Sequence, residues 1–168
     1  MIVKPVDAMS YDDILFISER LRAWDRKEIF ALMWSDSPID LATTCAQLAA
    51  NAFTLHGDDE TPIAYVGAIP LWPGFWKVWM FATDDFRKIG LRATTWVKQH
   101  FIKGIVEAGA VRAECQSMDG HVEAHRWLEV LGAEREGEHD SYGKNGEIFV
   151  TYKWTKNNVK YPFYRKEQ

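Results

Sequence analysis

The fold is decided by the stretch ATDDFRKIGLRA, which spans residues 82–93. The run that leads into it, FWKVWMFA at residues 75–82, is apolar on both faces, as expected of a central strand. The residues that follow repeat apolar side chains four apart, the spacing of a buried helical stripe: Ala93, Val97, Phe101 and Ile105. The stretch therefore predicts a strand, a turn and a long helix from about Gly90 to Glu107.

The predicted turn has the chemistry of an anion site. The first backbone N–H groups of a helix have no partner within the helix, and the helix dipole adds partial positive charge there. A pyrophosphate suits such a position, and Gly90 allows a ligand to approach the backbone closely. A glycine near a helix start is more often plain turn chemistry, so this stretch does not identify a function by itself.

A second stretch, HVEAHRWLEVLGA at residues 121–133, predicts a short helix that ends in Leu-Gly and leads directly into a strand. Together the two stretches resemble the GNAT family of N-acetyltransferases. The family's Arg-x-x-Gly-x-Gly/Ala pattern is similar to Arg87, Gly90 and Arg92. Its later Asn-x-x-Ala-x-x-Phe-Tyr-x-x-Leu-Gly-Phe pattern is similar to the residues His121, Ala124, Trp127, Leu128, Leu131, Gly132 and Ala133.

The resemblance implies an α/β (α+β) fold, in which a mixed, mostly antiparallel sheet is flanked by helices. Apolar periodicity and turn residues give the matching element order β-α-α-α-β-β-β-α-β-α-β-β. In this reading Asp25 caps the second helix, Pro38 starts a third helix that runs to about Ala50, and Asp119 caps the last. We expect one domain over residues 1–154 and a basic, aromatic tail over residues 155–168.

The resemblance also implies acetyl-CoA as the cofactor. In the family, the pantetheine arm pairs with the splayed end of the fourth strand, which here points to Phe81, Ala82 and Thr83. The pyrophosphate would lie over the turn after Arg87, on the backbone of Lys88, Ile89, Gly90, Leu91, Arg92 and Ala93. A substrate amine would attack the thioester, while a base removes its proton and an acid protonates the leaving thiolate.

Three departures from the family pattern affect this expectation. Arg92 replaces a small residue, and its side chain either fills the space that the diphosphate needs or swings outward and adds a favourable charge. Leu128 replaces a tyrosine that often serves as the acid, and leucine cannot donate a proton. His121 and Ala133 replace the usual asparagine and aromatic residue.

The catalytic residues therefore stay unassigned. The substitutes considered for the acid or base are four side chains near the end of the fifth predicted strand: Cys115, Ser117, His121 and His125. Cys115 is also explained as a buried apolar residue, and His121 and His125 as structural or surface histidines. Asp84 and Asp85 either bind a substrate amine or cap the helix that follows them.

The same replacements resemble one subset of the family, the small GNAT-like proteins of T7-like short-tailed bacteriophages, some of which are linked to the virion interior. Two functions stay open: an acetyl-CoA-dependent N-acetyltransferase with an unidentified amine substrate, or a catalytically inactive phage protein with a structural or interaction role. Partners would be acyl-CoA and an amine in the first case, and a second copy or other phage proteins in the second.

The composition of the chain bears on its partners and on its location in the cell. The formal net charge of −4 makes nucleic acid an unlikely main partner, although the tail mixes basic and aromatic residues that suit single strands. No apolar run of about 18 residues predicts a membrane span. The two cysteines, Cys45 and Cys115, show no metal or redox spacing, and they suit a reducing cytoplasm. We expect a cytoplasmic protein, in the host cytoplasm or the virion if a phage encodes it.

Overall fold

The computed structural model describes residues 1–48 and 51–155. These residues contain seven strands: β1 Ile2–Pro5, β2 Ala52–His56, β3 Pro62–Trp72, β4 Phe75–Ala82, β5 Arg112–Met118, β6 Glu134–His139 and β7 Phe149–Thr155. The α-helices are α1 Tyr11–Glu19, α2 Ala23–Ala31, α3 Pro38–Gln47, α4 Phe86–Trp96, α5 Ile102–Glu107 and α6 Val122–Val130. A π-helical turn, Val97–Phe101, joins α4 to α5 into one long helix, so the predicted order of elements is confirmed.

The strands form one sheet in the order β1-β2-β3-β4-β5-β7-β6. Every neighbouring pair is antiparallel except β4 and β5, which are parallel. Successive residues of a strand face opposite sides, and the core is divided accordingly. Tyr65 and Phe81 pack under α1, α2 and α3, whereas Val66 packs on the other side with the long helix and α6. The predicted fold class, a mixed and mostly antiparallel sheet flanked by helices, is confirmed.

The parallel pair separates partway along its length. β4 and β5 are in register only from Phe75 opposite Arg112 to Lys77 opposite Glu114. β4 continues for five more residues to Ala82 and β5 for four more to Met118, without pairing with each other. The two strands therefore form a V whose open end lies at their carboxyl termini, and this opening positions the candidate site.

The long helix starts earlier than the sequence predicts. Its stripe of four apolar residues is buried as expected, but α4 begins at Phe86 and not near Gly90. The Phe86 N–H donates to the Thr83 carbonyl at 3.0 Å, and the Lys88 N–H donates to the Asp85 carbonyl at 2.9 Å. These short-range bonds close the turn after β4, so the glycine lies inside the helix.

Two predicted helix starts also differ. The N-cap of α2 is Arg22, and Asp25 lies inside the helix because its carboxylate is used in a tertiary contact described below. The N-cap of α6 is His121, two residues after the predicted Asp119. The third helix ends at Gln47, and its predicted end at Ala50 lies outside the described residues.

The tail beyond residue 155 also lies outside the described residues, so the proposed domain boundary stays a prediction. Within the described ranges, none of the helices is both long enough and apolar enough to cross a membrane.

Candidate functional site

A cavity of about 390 Å³ lies at the opening between β4 and β5. Most of its wall is apolar and comes from the two strands, the long helix and α6, including Val78, Met80, Val97, Phe101, Cys115 and Leu128. Its polar end is formed by side chains of α2, the end of β5 and the start of α6: Asp25, Glu28, Gln116, Ser117 and His121, together with Arg22 just before α2.

The register of β3 and β4 decides which backbone groups of β4 face this opening. Antiparallel strands alternate between residue pairs that exchange hydrogen bonds and pairs that do not. The Thr83 N–H donates to the Ile63 carbonyl at 2.8 Å, so Thr83 faces β3. Ala82 and Met80 therefore direct their backbone N–H and C=O groups away from β3, toward the space that β5 has left. These are the groups that a ligand lying along β4 would pair with.

At Ala82, other residues of the protein already pair with these backbone groups. The Ala82 N–H donates to Asp25 Oδ2 at 2.7 Å, and the Ala82 carbonyl accepts from the Arg22 N–H at 2.9 Å. Leu21 forms an isolated antiparallel bridge with Thr83, so the segment between α1 and α2 extends the sheet at the end of β4. Both backbone groups of Ala82 are paired within the protein.

Asp25 is held in place by the neighbouring arginine. The Arg22 guanidinium donates to Asp25 through Nε at 3.1 Å and through Nη2 at 2.9 Å. The Asp25 side chain is only 4% exposed, and burial raises the pKa of its carboxyl group against the opposing influence of Arg22. A buried carboxylate requires such partners, because an unpaired charge in this environment is costly.

Glu28, one helical turn after Asp25, binds the end of β5. Its Oε2 accepts from the Ser117 hydroxyl at 3.0 Å, from the Met118 N–H at 2.8 Å and from His121 Nδ1 at 2.9 Å. The indole of Trp24 stacks on the His121 ring with centroids 5.3 Å apart. Glu28 thereby ties α2 to the end of β5 and to the start of α6.

Arg22, Asp25 and Glu28 together form what we call the α2 latch. Asp25 holds the end of β4 and Glu28 holds the end of β5, so one short helix spans the open end of the V. None of the three was predicted as a site residue. The spacing of two carboxylates three apart on one helix was the available signal, since it places both on the same side.

The residues predicted to hold the pyrophosphate lie within the first turns of α4. The N–H groups of Phe86 and Lys88 already donate within the turn, and N–H groups from Gly90 onward lie beyond the first four of the helix. A Cβ added to Gly90 would meet only the Phe86 ring, at 3.9 Å, so no close backbone approach requires glycine there. Arg87 is exposed at this helix start, and the Lys88 ammonium pairs with Asp85 at 2.9 Å.

Arg92 points toward the turn between β2 and β3. Its guanidinium donates to both carboxylate oxygens of Asp58, at 2.9 and 3.1 Å. The Asp58 carboxylate is exposed, and hydrogen bonds from Arg92 lower its pKa to about 2. The same contact raises the pKa of the Arg92 guanidinium.

The remaining predicted cofactor residues divide between core and surface. Phe81 is buried and stacks on Tyr65 with centroids 5.0 Å apart, on the side of the sheet away from α6. Ile89 and Ala93 are buried in a cluster with β3 and β4, and Leu91 is exposed. The positions of these four side chains follow from packing in the core and from exposure to solvent.

The side chains considered as acids or bases are in contrasting environments. Burial raises the pKa of the Cys115 thiol to about 12, which makes it a poor proton donor. Ser117 and His121 come together on Glu28, as described above. Burial lowers the pKa of His125, whose buried Nε2 has no hydrogen-bond partner among the described residues. Asp84 is exposed.

This architecture is the fold of the GNAT-family N-acetyltransferases. A ribosomal-protein-alanine N-acetyltransferase from Brucella melitensis superposes with a TM-score of 0.71 at 12% identity, covering 92% of this chain and 99% of that one. A GNAT-family acetyltransferase from Bacillus anthracis gives 0.69 at 11% identity, covering 91% and 93%. An aminoglycoside 6'-acetyltransferase type Ii gives 0.66 at 18% identity, covering 92% and 97%. No protein-family model matches the sequence, and no curated protein matches it.

The likeness to these structures establishes the fold, and the local geometry bears on the cofactor. In the present arrangement both backbone groups of Ala82 are paired within the protein, and two of the first four N–H groups of α4, those of Phe86 and Lys88, donate within the turn. The assignment of these residues to acetyl-CoA stays a prediction.

Proposed function

We propose that this chain is a catalytically inactive protein of GNAT fold, with a structural or protein-interaction role. The observation that carries the proposal is the pairing of Ala82, whose N–H and C=O groups are held by Asp25 and Arg22. An acyl thioester that pairs with β4 would have to displace a buried, charge-assisted contact before it made its own. The N–H groups of Phe86 and Lys88, which donate within the turn before α4, support the same conclusion for the pyrophosphate.

The proposed setting is a bacteriophage of the short-tailed, T7-like type, in the host cytoplasm or the virion. Only the residue pattern supports this setting: Leu128 and Ala133 stand where an acetyltransferase pattern has tyrosine and an aromatic residue. Both positions serve the hydrophobic core here, since Leu128 and Ala133 are buried together under the long helix. The partners would be a second copy or other virion proteins.

The alternative is an acetyl-CoA-dependent N-acetyltransferase that acts on an amine. The cavity of about 390 Å³ favours it, because a carboxylate and a histidine lie at one end. Glu28 uses only Oε2 in its three hydrogen bonds, so Oε1 is available to accept a proton from a substrate. The acceptor substrate stays unassigned in this alternative.

Thermal unfolding with and without acetyl-CoA separates the two functions. A ligand present at 100 times its dissociation constant stabilises a protein by about 2.7 kcal/mol. For a chain of this size that corresponds to a rise of roughly 5–10 °C in Tm. We expect no shift at 1 mM acetyl-CoA and no release of free thiol when amines are added.

A rise of several degrees would overturn the proposal and favour the enzyme. In that case Gly90→Trp, which places a large ring at the predicted pyrophosphate turn, should remove the shift. The exposed Leu91→Ala should leave it unchanged and serves as the control for a general effect on α4.

A further inference from the structure

The cavity reaches far beyond the α2 latch. From its polar end it continues between the long helix and α6 as far as the end of β7, because Trp154 and Thr155 also belong to its lining. The lining at this lower end is apolar and includes Ile102, Val106 and Leu131. The described part of the chain therefore ends at the border of the cavity.

The size of the cavity calls for an occupant. An apolar cavity destabilises a protein in proportion to its volume, since its lining loses contacts on one side. A dry apolar cavity of about 150 Å³ holds a benzene ring, so a volume of about 390 Å³ has room for about two aromatic rings. Water fills such a space poorly, because an apolar wall offers it few hydrogen-bond partners.

The tail that follows Thr155 has the composition and the reach of such an occupant. Its sequence over residues 156–168, outside the described residues, is KNNVKYPFYRKEQ, with aromatic side chains at Tyr161, Phe163 and Tyr164. A chain advances at most about 3.3–3.6 Å per residue, so Phe163 can reach about 26 Å from Thr155. The seven residues of β5, which line the cavity in part, span about 24 Å. The rings of the tail can therefore reach any part of the cavity.

The charges also favour contact between the tail and the rest of the chain. The tail carries four basic residues and one acidic residue. The whole chain has a formal net charge of −4, so residues 1–155 have −7 and the tail has +3. Opposite net charges attract, and the exposed Glu123 adds negative charge at the border of the cavity.

We infer that the cavity binds the chain's own tail, and that aromatic side chains of residues 156–168 occupy its lower end, beside Ile102, Val106 and Trp154. The tail of the same copy is the occupant, because Thr155 borders the cavity that it fills. This inference goes beyond the proposed function and is independent of it. The proposed inactivity depends on the pairing of Ala82, which does not involve the tail.

Photo-cross-linking of the full chain identifies what the tail contacts. p-Benzoylphenylalanine replaces Phe163, whose aromatic character it keeps, and the cross-linked peptides are identified by mass spectrometry. In a mixture of isotope-labelled and unlabelled protein, we expect cross-links within one chain to lining residues such as Val106 and Leu131. The absence of cross-links to the lining would overturn the inference. Cross-links that join labelled to unlabelled chains would also overturn it, because the tail would then fill the cavity of a second copy.

Limited proteolysis of the full chain gives a second measurement. Chymotrypsin cleaves after aromatic residues, and a tail held in the cavity should be cleaved slowly at Tyr161 and Phe163. Ala113→Trp places a large ring in the lining and should displace the tail, which should raise the rate of cleavage there about tenfold. Leu91→Trp adds the same ring at an exposed position and should leave the rate unchanged. Equal rates in wild type and Ala113→Trp would contradict the inference, and if Ala113→Trp does not fold, cross-linking of the otherwise unchanged chain decides.

Discussion

The contact between Asp25 and the end of β4 makes a quantitative prediction. Asp25→Ala removes the acceptor of the Ala82 N–H and the three hydrogen bonds from Arg22. A hydrogen bond to a charged group contributes about 1.5–3 kcal/mol, and an unpaired buried donor adds its own desolvation cost. The Arg22 side chain is 23% exposed and can turn to water, which reduces the loss. We expect the free energy of unfolding to fall by about 3 kcal/mol.

Asp25→Asn should be much milder. Burial raises the pKa of Asp25, which means that the negative charge itself is disfavoured in the folded protein. Asparagine keeps a side-chain oxygen for the Ala82 N–H and avoids burying that charge, although it weakens the contact with Arg22. We expect a loss of about 1 kcal/mol, which is a third of the loss for alanine.

The assay is urea unfolding followed by tryptophan fluorescence, together with thermal unfolding. A loss of 3 kcal/mol corresponds to a decrease of about 6–12 °C in Tm for a domain of this size. Asp84→Ala is the matched control, because Asp84 is exposed just beyond the same strand end and should change stability by at most about 0.5 kcal/mol. If Asp25→Ala were no more destabilising than Asp84→Ala, the latch would not hold β4 and the proposed function would lose its main support.

Two further predictions concern the sheet edge and the helix ends. Hydrogen bonds from Arg112 and Lys153 lower the pKa of Glu136 to about 2. The contribution of the Glu136 carboxylate to the free energy of unfolding should therefore be present above the ordinary pKa of 4.5 and be lost as the pH falls toward 2. The difference in stability between wild type and Glu136→Gln, measured by urea unfolding from pH 7 to pH 2, should shrink over the same range. Gly132 has φ of +89° at the end of α6, so Gly132→Ala should lower the free energy of unfolding by about 1 kcal/mol. A Cβ added to Gly104, inside α5, meets no atom within 4 Å, so Gly104→Ala should raise the free energy of unfolding by up to about 1 kcal/mol. Equal changes in Tm for the two variants would contradict this prediction.

The parts of the fold that follow from local patterns could be predicted from the sequence. β4 is apolar on both faces, and the stripe from Ala93 to Ile105 repeats every four residues. Both patterns record burial directly, and both elements are present. Gly132 was predicted to close α6, and its positive φ is a conformation that few other residues adopt easily. Each of these inferences uses residues that are close together in the chain.

The latch could not be predicted in the same way. Asp25 lies near a helix start, where a carboxylate commonly caps the helix, but its partner Ala82 is 57 residues away. Glu28 meets Ser117 and His121 at separations of 89 and 93 residues. A repeating pattern in the sequence cannot reveal such contacts, because they depend on how α2 crosses the sheet. The start of α4 was misplaced for a different, local reason: hydrogen bonds within the turn after Thr83 begin the helix at Phe86, before the predicted start at Gly90.

The opening between β4 and β5 therefore has two possible partners, a ligand or the protein itself. The motif at Arg87 and Gly90 identifies the strand and helix that create the opening, but the spacing of a motif does not show whether the backbone groups beside it are free. The α2 latch supplies carboxylate oxygens to the N–H groups of Ala82 and Met118, the same kind of acceptor that a ligand carbonyl would offer. A chain that satisfies these donors internally gains stability without a cofactor, since buried donors must be paired in either case. On this argument the fold does not depend on a ligand at the opening, and Asp25 is the residue at which the contribution of the latch can be measured.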